Sequence, residues 1–183
     1  MKKCIWRSSL FSALLSLAVL GCAQAVFAAP GDLNVTALSF VEDVAGLGQY
    51  TPKQGTRFAI GDICTIYMEA ANFTLQPAEP NSEDKFNLDL AVDIVIKMPQ
   101  RRRTIVSEKD FSTLKTTMRA RLPITFLAFR FAFDEDWTPG DYIITLTLRD
   151  NLSGQSVTGD MIYRLEKPTE ADRARQAEEN KKQ

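Results

Sequence analysis

A long segment in the middle of the chain has an apolar side chain at every second position. Apolar residues occupy every second position from 86 to 98, and Asn87, Asp89, Asp93 and Lys97 lie between them. A period of two places all the apolar residues on one face of a β-strand, whereas a helix would scatter them around its circumference. The segment therefore predicts a strand with one buried and one solvent-facing side. The apolar residues at these alternate positions are Phe86, Leu88, Leu90, Val92, Ile94, Ile96 and Met98.

Shorter segments with the same alternation recur along the chain, and turn-forming residues such as Gly61-Asp62 and Pro139-Gly140 separate them. Between residues 31 and 165 we find no 12-residue stretch with a helical apolar stripe. Short alternating strands with turns between them predict an antiparallel sandwich or barrel. In the segment around residues 64–70, Thr65, Tyr67 and Glu69 are expected on the solvent side. The predicted strands lie around residues 33–37, 64–70, 86–98, 127–133, 142–148 and 161–165, with 104–107 as a candidate seventh.

Residues 1–28 have the layout of a secretory signal peptide. Three basic residues among the first seven precede an apolar run over residues 10–20, and small residues follow it. The run is about 11 residues long and a membrane-spanning helix needs ~20, which favours a cleaved leader over a permanent anchor. Small residues predict cleavage near positions 25–29, so that the mature chain begins at Val26 or Ala29. The expected location is the periplasm or the extracellular space.

A second interpretation of the leader involves Cys22. Residues 19–22, VLGC, resemble the lipobox of bacterial lipoproteins, in which the cysteine carries the lipid. In that case the protein is anchored to a membrane; otherwise no membrane contact is expected. Cys4 leaves with the leader in either case, so Cys64 stays alone and the mature chain has no intramolecular disulfide.

Charge and composition exclude several classes of function. The formal net charge is −1, and loss of the three basic residues of the leader takes the mature chain to about −4. A mildly acidic domain is a poor candidate for nucleic-acid binding, which rewards a basic surface. The chain contains no histidine, which removes the commonest general base and metal ligand and every Ser-His or Cys-His nucleophile arrangement. The sequence predicts no cofactor.

Residues 167–183 form a polar tail. Thr169 could cap a helix, but only alanines line its weakly apolar face. We expect a frayed helix or a disordered segment outside the domain.

Two segments carry a resemblance to a known class of protein. Residues 137–146, WTPGDYIITL, followed by 150–154, DNLSG, resemble the end of immunoglobulin-like domains in exported bacterial proteins, and residues 61–73, GDICTIYMEAANF, resemble an upstream segment of the same domains. The resemblance extends over about residues 40–165 and implies an immunoglobulin-like domain. Together with the alternating segments it predicts an all-β fold, a single antiparallel immunoglobulin-like β-sandwich of about seven strands over residues 31–166. It also implies a tyrosine corner at Tyr142. Since such folds host many functions, it implies no particular activity.

Two features are candidates for ligand contact. Arg101, Arg102 and Arg103 form a concentrated basic patch after Lys97, and guanidinium groups suit phosphate or carboxylate partners. The alternative is a solvated hairpin turn after the long strand. Trp137, in a turn, could stack on a sugar, and a carbohydrate-binding site would require its indole to be flat and exposed.

Other reactive side chains have plainer explanations. Cys64 shares a face with apolar residues, so an inert core thiol is expected. The acidic cluster at residues 134–136 lacks the spacing of a calcium loop, which favours a solvated turn. Asp89 and Asp93 lie ~13 Å apart along one strand, too far to act as an acid–base pair without a partner from elsewhere.

The sequence therefore favours a non-enzymatic exported module that binds a protein or cell-envelope partner through strand edges or loops. Two alternatives stay open: a carbohydrate-binding module centred on Trp137, and a hydrolase that uses carboxylates or a bound metal.

Overall fold

The structure, a computed structural model, describes residues 31–79, 85–119 and 123–179. The predicted leader, its cleavage sites and Cys22 lie outside the described residues, as does the end of the tail. Seven strands of 9 to 16 residues dominate this part of the chain, together with three short strands and one helix. In chain order the elements are β1 (Asn34–Gly46), β2 (Gln49–Pro52), β3 (Arg57–Ala59), β4 (Ile63–Ala71), β5 (Gln76–Pro77), β6 (Phe86–Met98), β7 (Arg103–Met118), β8 (Ile124–Ala132), β9 (Gly140–Asp150), β10 (Ser156–Glu166) and α1 (Glu170–Glu179).

The strands form two sheets. One has the order β2-β1-β4-β8; the other has the order β3-β10-β9-β6-β5, with β7 also paired to β6. The seven long strands can be given immunoglobulin letters: β1 is A, β4 is B, β6 is C, β7 is C′, β8 is E, β9 is F and β10 is G. The long strands then form the sheets A-B-E and G-F-C-C′. This is an immunoglobulin-like order. The predicted all-β sandwich is confirmed.

The core lies between the two sheets, and β6 runs through its centre. All seven apolar residues of the alternating segment in β6 are at most 4% exposed. The predicted inner faces of β4, β8, β9 and β10 contribute to the same cluster. At the start of β9, the hydroxyl of Tyr142 donates to the carbonyl of Thr138 at 2.6 Å, which forms the expected tyrosine corner.

Strand β7 is much longer than the candidate segment at residues 104–107. Val92 pairs with Ser112 and Ile94 pairs with Glu108, so residues 109–111 bulge opposite Asp93. The bulge shifts the alternation in the middle of the strand, and this hides the strand from a search for a regular period of two.

Tyr67 was predicted on the solvent side of β4, and this prediction is wrong: the residue is 0% exposed. The tip of the β1–β2 hairpin folds over it, and the amide of Gly48 donates to its hydroxyl at 2.8 Å. Tyr50 and Phe126 flank the ring, at centroid distances of 4.3 and 5.6 Å. The β1–β2 pairing contains two register irregularities, which bend the hairpin. Strand alternation alone cannot predict that the hairpin covers Tyr67.

The polar tail begins with helix α1, which touches the domain. Thr169 caps it, because the Asp172 amide donates to the Thr169 hydroxyl at 3.2 Å while the Asp172 carboxylate accepts from the Thr169 amide at 2.9 Å. Arg175 and Gln176 both donate to buried Asp62, at 2.8 and 3.0 Å. Because this contact is made by polar side chains, the small apolar face of the helix could not predict it. Within the described ranges, no helix is long and apolar enough to cross a membrane.

A basic groove beside the β6–β7 hairpin

The connection between β6 and β7 is a tight turn that carries the arginine cluster. Pro99–Arg101 form a single 3-10 turn, and Arg102 adopts the left-handed conformation at φ 49° as its amide donates to the Pro99 carbonyl at 3.0 Å. The side-chain amide of Gln100 donates to Asp141 at 3.0 Å, which ties the turn to the start of β9. The hairpin turn expected for Arg101, Arg102 and Arg103 is therefore present.

An open groove of about 490 Å³ lies beside this turn, on the outer face of the larger sheet. Strand β6 forms its centre, the β6–β7 turn forms one wall, and β9 and β10 form the opposite side. The lining residues are Lys97, Met98, Pro99, Arg102, Arg103, Thr104, Ile143, Thr145 and Asp160.

The cations of the groove are exposed. Among the residues that the structure describes, Lys97, Arg102, Arg103 and the neighbouring Arg101 form no ion pair with a carboxylate. By contrast, Arg149 on the same sheet face binds two aspartates. The groove therefore offers cations that form no direct ion pair within the described part of the domain.

An aliphatic pair lies next to these cations. Lys97 pairs with Ile143 in the β6–β9 register, and Ile143 pairs with Ile162 in the β9–β10 register. The three side chains thus form one row across three neighbouring strands. Ile162 is 64% exposed, although it lies on a face that is otherwise mostly polar.

The far side of the groove carries a carboxylate. Asp160 accepts a hydrogen bond from the Thr145 hydroxyl at 2.7 Å. Two rows closer to the end of the sheet, beyond the isoleucine row, Asp141 forms an ion pair with Arg164 at 3.5 Å. The groove therefore combines cations on the hairpin side, an aliphatic patch and an acidic group opposite.

Trp137 is half-buried against the core rather than free in its turn. Its ring centroid lies 5.4 Å from that of Phe133 and 5.4 Å from that of Tyr142. The indole thus covers the tyrosine corner, and it is not the flat, exposed platform that a sugar-stacking site requires.

The aspartates of β6 have partners from neighbouring strands. Arg149 donates to both carboxylate oxygens of Asp93, at 3.0 and 3.1 Å, and also binds Asp110 in the bulge of β7. These hydrogen bonds from Arg149 hold the pKa of Asp93 below its usual value, although burial opposes them. Asp89 is similarly bound by Asn151 and Lys115, and its pKa is lowered. Both carboxylates are held ionised, which suits cross-strand bridging better than proton transfer.

The other reactive groups lie apart from the groove. Cys64 is 0% exposed, and burial raises the pKa of its thiol far above the usual value, so it is an inert core residue. Asp134, Glu135 and Asp136 are exposed in the β8–β9 loop. Within the described residues, no group of three or more acidic, cysteine or histidine side chains is arranged to hold a metal ion.

The sequence pattern identified the cations of the groove but missed its aliphatic and acidic members. Ile143 and Ile162 are aliphatic residues at solvent-side positions of alternating strands. This departure from the pattern was the one feature of the sequence that could have indicated an exposed aliphatic surface. Only the register of β6, β9 and β10 shows that Ile143 lies beside Lys97 in the groove and that Ile162 follows Ile143 on the next strand, at the edge of the groove.

Comparison with known proteins adds no family. No protein-family model matches the chain, and no curated protein sequence matches it significantly. Solved structures that are similar in part include an alkylpurine DNA glycosylase, AlkC, from Pseudomonas fluorescens, with 9% identity over 73% of this chain and a TM-score of 0.42. The match spans only 30% of the glycosylase chain.

Two smaller proteins are also similar in part. The PKD domain of an M14-like peptidase from a Thermoplasmatales archaeon is 13% identical, with 74% of this chain and 94% of that chain covered and a TM-score of 0.37. The C-terminal domain of wzt is 12% identical, with 76% of each chain covered and a TM-score of 0.40. At these scores the similarities carry no argument about function. The class of the protein, an immunoglobulin-like β-sandwich, rests on its own strand order.

Proposed function

We propose that this protein is a non-enzymatic interaction module of the bacterial envelope, which binds a protein or envelope partner through the basic groove. The observation that carries the proposal is the juxtaposition of exposed Lys97, Arg102 and Arg103 with Ile143 on the outer face of a sheet. Charged groups that neighbouring carboxylates leave unpaired are available to an anionic partner. The sheet holds them in fixed positions, which lowers the entropic cost of binding.

The side chains of the domain support binding rather than catalysis. The chain has no histidine, its β6 aspartates are engaged with cations, and its core thiol is inaccessible. A carboxylate- or metal-dependent hydrolase would need convergent acids with shifted pKa values in a cleft. A carbohydrate-binding module would need Trp137 to be exposed. Neither alternative accounts for the basic groove.

The envelope location rests on the leader. Residues 1–28 direct export in this proposal, and the processed protein is periplasmic or extracellular, or is tethered to a membrane through Cys22. Nucleic acid is not the expected partner, because the mature chain is net acidic.

The test combines intact-mass spectrometry with site-specific photo-crosslinking in cells of the native host. A photoreactive residue replaces Thr104, in the groove, or Ser156, exposed at the start of β10 at the opposite end of the sheet. We expect a chain that begins at Val26 or Ala29, or at a lipidated Cys22, and a discrete crosslinked partner from position 104 alone. An unprocessed chain would contradict export, and identical adducts from both positions would contradict a binding role for the groove.

A further inference from the structure

The groove, together with Ile162 at its edge, combines cationic, aliphatic and acidic side chains within a short distance, and this combination restricts the partner. Lys97, Ile143 and Ile162 form one row across β6, β9 and β10. Neighbouring strands are ~5 Å apart, so the row is ~10 Å long, and the middle of the isoleucine pair lies ~7 Å from Lys97. A ligand that uses both features needs an anionic group and an aliphatic group at about that separation.

An extended polypeptide has this spacing. Side chains at positions i and i+2 of a β-strand point to the same side and lie ~7 Å apart. We infer that the groove binds an extended segment of a partner protein that carries an aliphatic residue and an acidic residue two positions apart. The aliphatic side chain packs on Ile143 and Ile162, and the carboxylate binds Lys97, with Arg102 and Arg103 near further acidic groups. This inference rests on the proposed function and specifies the partner for the same site.

The exposed isoleucine favours a protein over a purely anionic ligand. Ile162 has an exposure of 64%, and a free phosphate or a polyanion would leave it in water. A partner's aliphatic side chain removes this surface from water, which favours binding.

The acidic side of the groove favours a polypeptide over a membrane or a nucleic acid. Asp160 lines the groove opposite the arginine turn, where it would repel a surface of uniform negative charge. A polypeptide has backbone amides that can donate to such a carboxylate. The separation of positive and negative sides therefore suits a peptide in one orientation.

The experiment is selection of a random dodecapeptide display library on the purified, processed protein. We expect enriched peptides to share an aliphatic residue and Asp or Glu at i and i+2, in either direction. For synthetic peptides with the enriched sequences, the Kd should rise about fivefold or more in the Lys97→Glu variant and, separately, in the Ile162→Ser variant. Both side chains are exposed, so these variants should retain the fold, which circular dichroism and the unfolding midpoint check.

Matched variants elsewhere provide the controls. Arg130→Glu reverses an exposed cation on the outer face of the other sheet, and Leu47→Ser removes another exposed aliphatic side chain, 44% exposed. Neither should change the Kd, and a peptide with the acidic and aliphatic residues moved apart should bind more weakly. Equal losses for control and groove variants would overturn the inference.

Two further outcomes would also overturn it. One is enrichment of peptides without the spacing. The other is Lys97-dependent sedimentation with vesicles of phosphatidylglycerol and phosphatidylethanolamine in place of peptide binding, which would make the groove a lipid-headgroup site. Crosslinking of a protein from position 104 together with either outcome would leave the proposed function standing and reject only the peptide motif.

Discussion

Asp150 ends β9 and organises the loop that follows it, although it is an acidic residue with only 1% exposure. Its carboxylate accepts from the Thr74 amide at 2.7 Å, the Leu152 amide at 2.9 Å and the Ser153 hydroxyl at 2.8 Å. Burial alone raises the pKa of Asp150, but these hydrogen bonds more than offset burial and leave the pKa below its usual value. The DNLSG segment that resembles other domains is therefore a loop stabilised by one buried carboxylate.

Replacing this carboxylate tests its contribution. Asp150→Asn should lower the free energy of unfolding by about 1–3 kcal/mol at pH 7, because an amide cannot accept from all the donors that a carboxylate satisfies. Urea unfolding measures the loss. Asp136→Asn, at an exposed position in the β8–β9 loop, is the matched control and should change the free energy by less than about 0.5 kcal/mol.

The same residue predicts a pH dependence. Because the folded state lowers the pKa of Asp150, its contribution is complete above the unfolded pKa of about 3.9 and is lost as the pH falls through the folded value. The stability gap between wild type and Asp150→Asn should therefore narrow between pH 5 and pH 2 or so. A gap that widens on acidification would contradict the direction of the shift.

The tyrosine corner gives a second prediction at this scale. Tyr142→Phe removes the hydroxyl that donates to Thr138 and keeps the ring that contacts Trp137 and stacks on Tyr163 at 5.2 Å. The expected loss in unfolding free energy is about 1–2 kcal/mol, measured by thermal or urea unfolding. Unchanged tryptophan fluorescence in the folded state would show that the ring packing is retained.

At the scale of elements, β6 tests the assignment of the two faces. Leu90→Ala or Ile94→Ala should each cost about 2–5 kcal/mol, because several fully buried methylenes are removed from the central strand. Ser107→Ala, exposed on the adjacent strand β7, is the control. Losses below about 0.5 kcal/mol for the β6 variants would mean that the buried face is inverted.

Helix α1 is an element whose contact the sequence did not reveal. Arg175 and Gln176 reach Asp62 in the β3–β4 turn, and the side chain of Gln176 lies over Gly61, where an added Cβ would come within 2.8 Å of it. The double variant Arg175→Ala/Gln176→Ala should cost on the order of 1 kcal/mol, because a largely buried carboxylate loses two donors. Arg173→Ala, on the same helix and exposed, should be neutral in the same unfolding assay.

Features that depend on neighbouring residues could be predicted from the sequence, whereas features that depend on residues far apart in the chain could not. Alternation is local, so β6, β9 and the inner faces of β4 and β8 could be predicted residue by residue. The cover of Tyr67 by the β1–β2 hairpin, the bulge at Asp110 and the contact of α1 with Asp62 depend on residues far apart in the chain. A single sequence contains no direct signal for such pairings.

At the scale of the whole molecule, the outer face of the larger sheet has two zones. Towards the β9–β10 loop it is a set of satisfied polar bridges, such as Arg149 with Asp93, and towards the β6–β7 turn it holds exposed cations beside Ile143 and Ile162. The arginines were visible in the sequence as a candidate ligand contact. The groove was not, because it exists only when β6, β9 and β10 are aligned. The zone near the β6–β7 turn, where the cations form no ion pair, is the one suited to binding a partner.

The most direct test of this account is the affinity for the partner crosslinked from position 104, measured with two triple variants of equal charge change. Arg101→Glu/Arg102→Glu/Arg103→Glu alters the hairpin turn, and Arg119→Glu/Arg130→Glu/Lys167→Glu alters exposed cations elsewhere. The account predicts that the first variant raises the Kd at least tenfold, while the second leaves the Kd nearly unchanged. At high salt, the difference in affinity between the first variant and the wild type should become smaller. Equal effects of the two variants would contradict it, since general charge and not the groove would then govern binding.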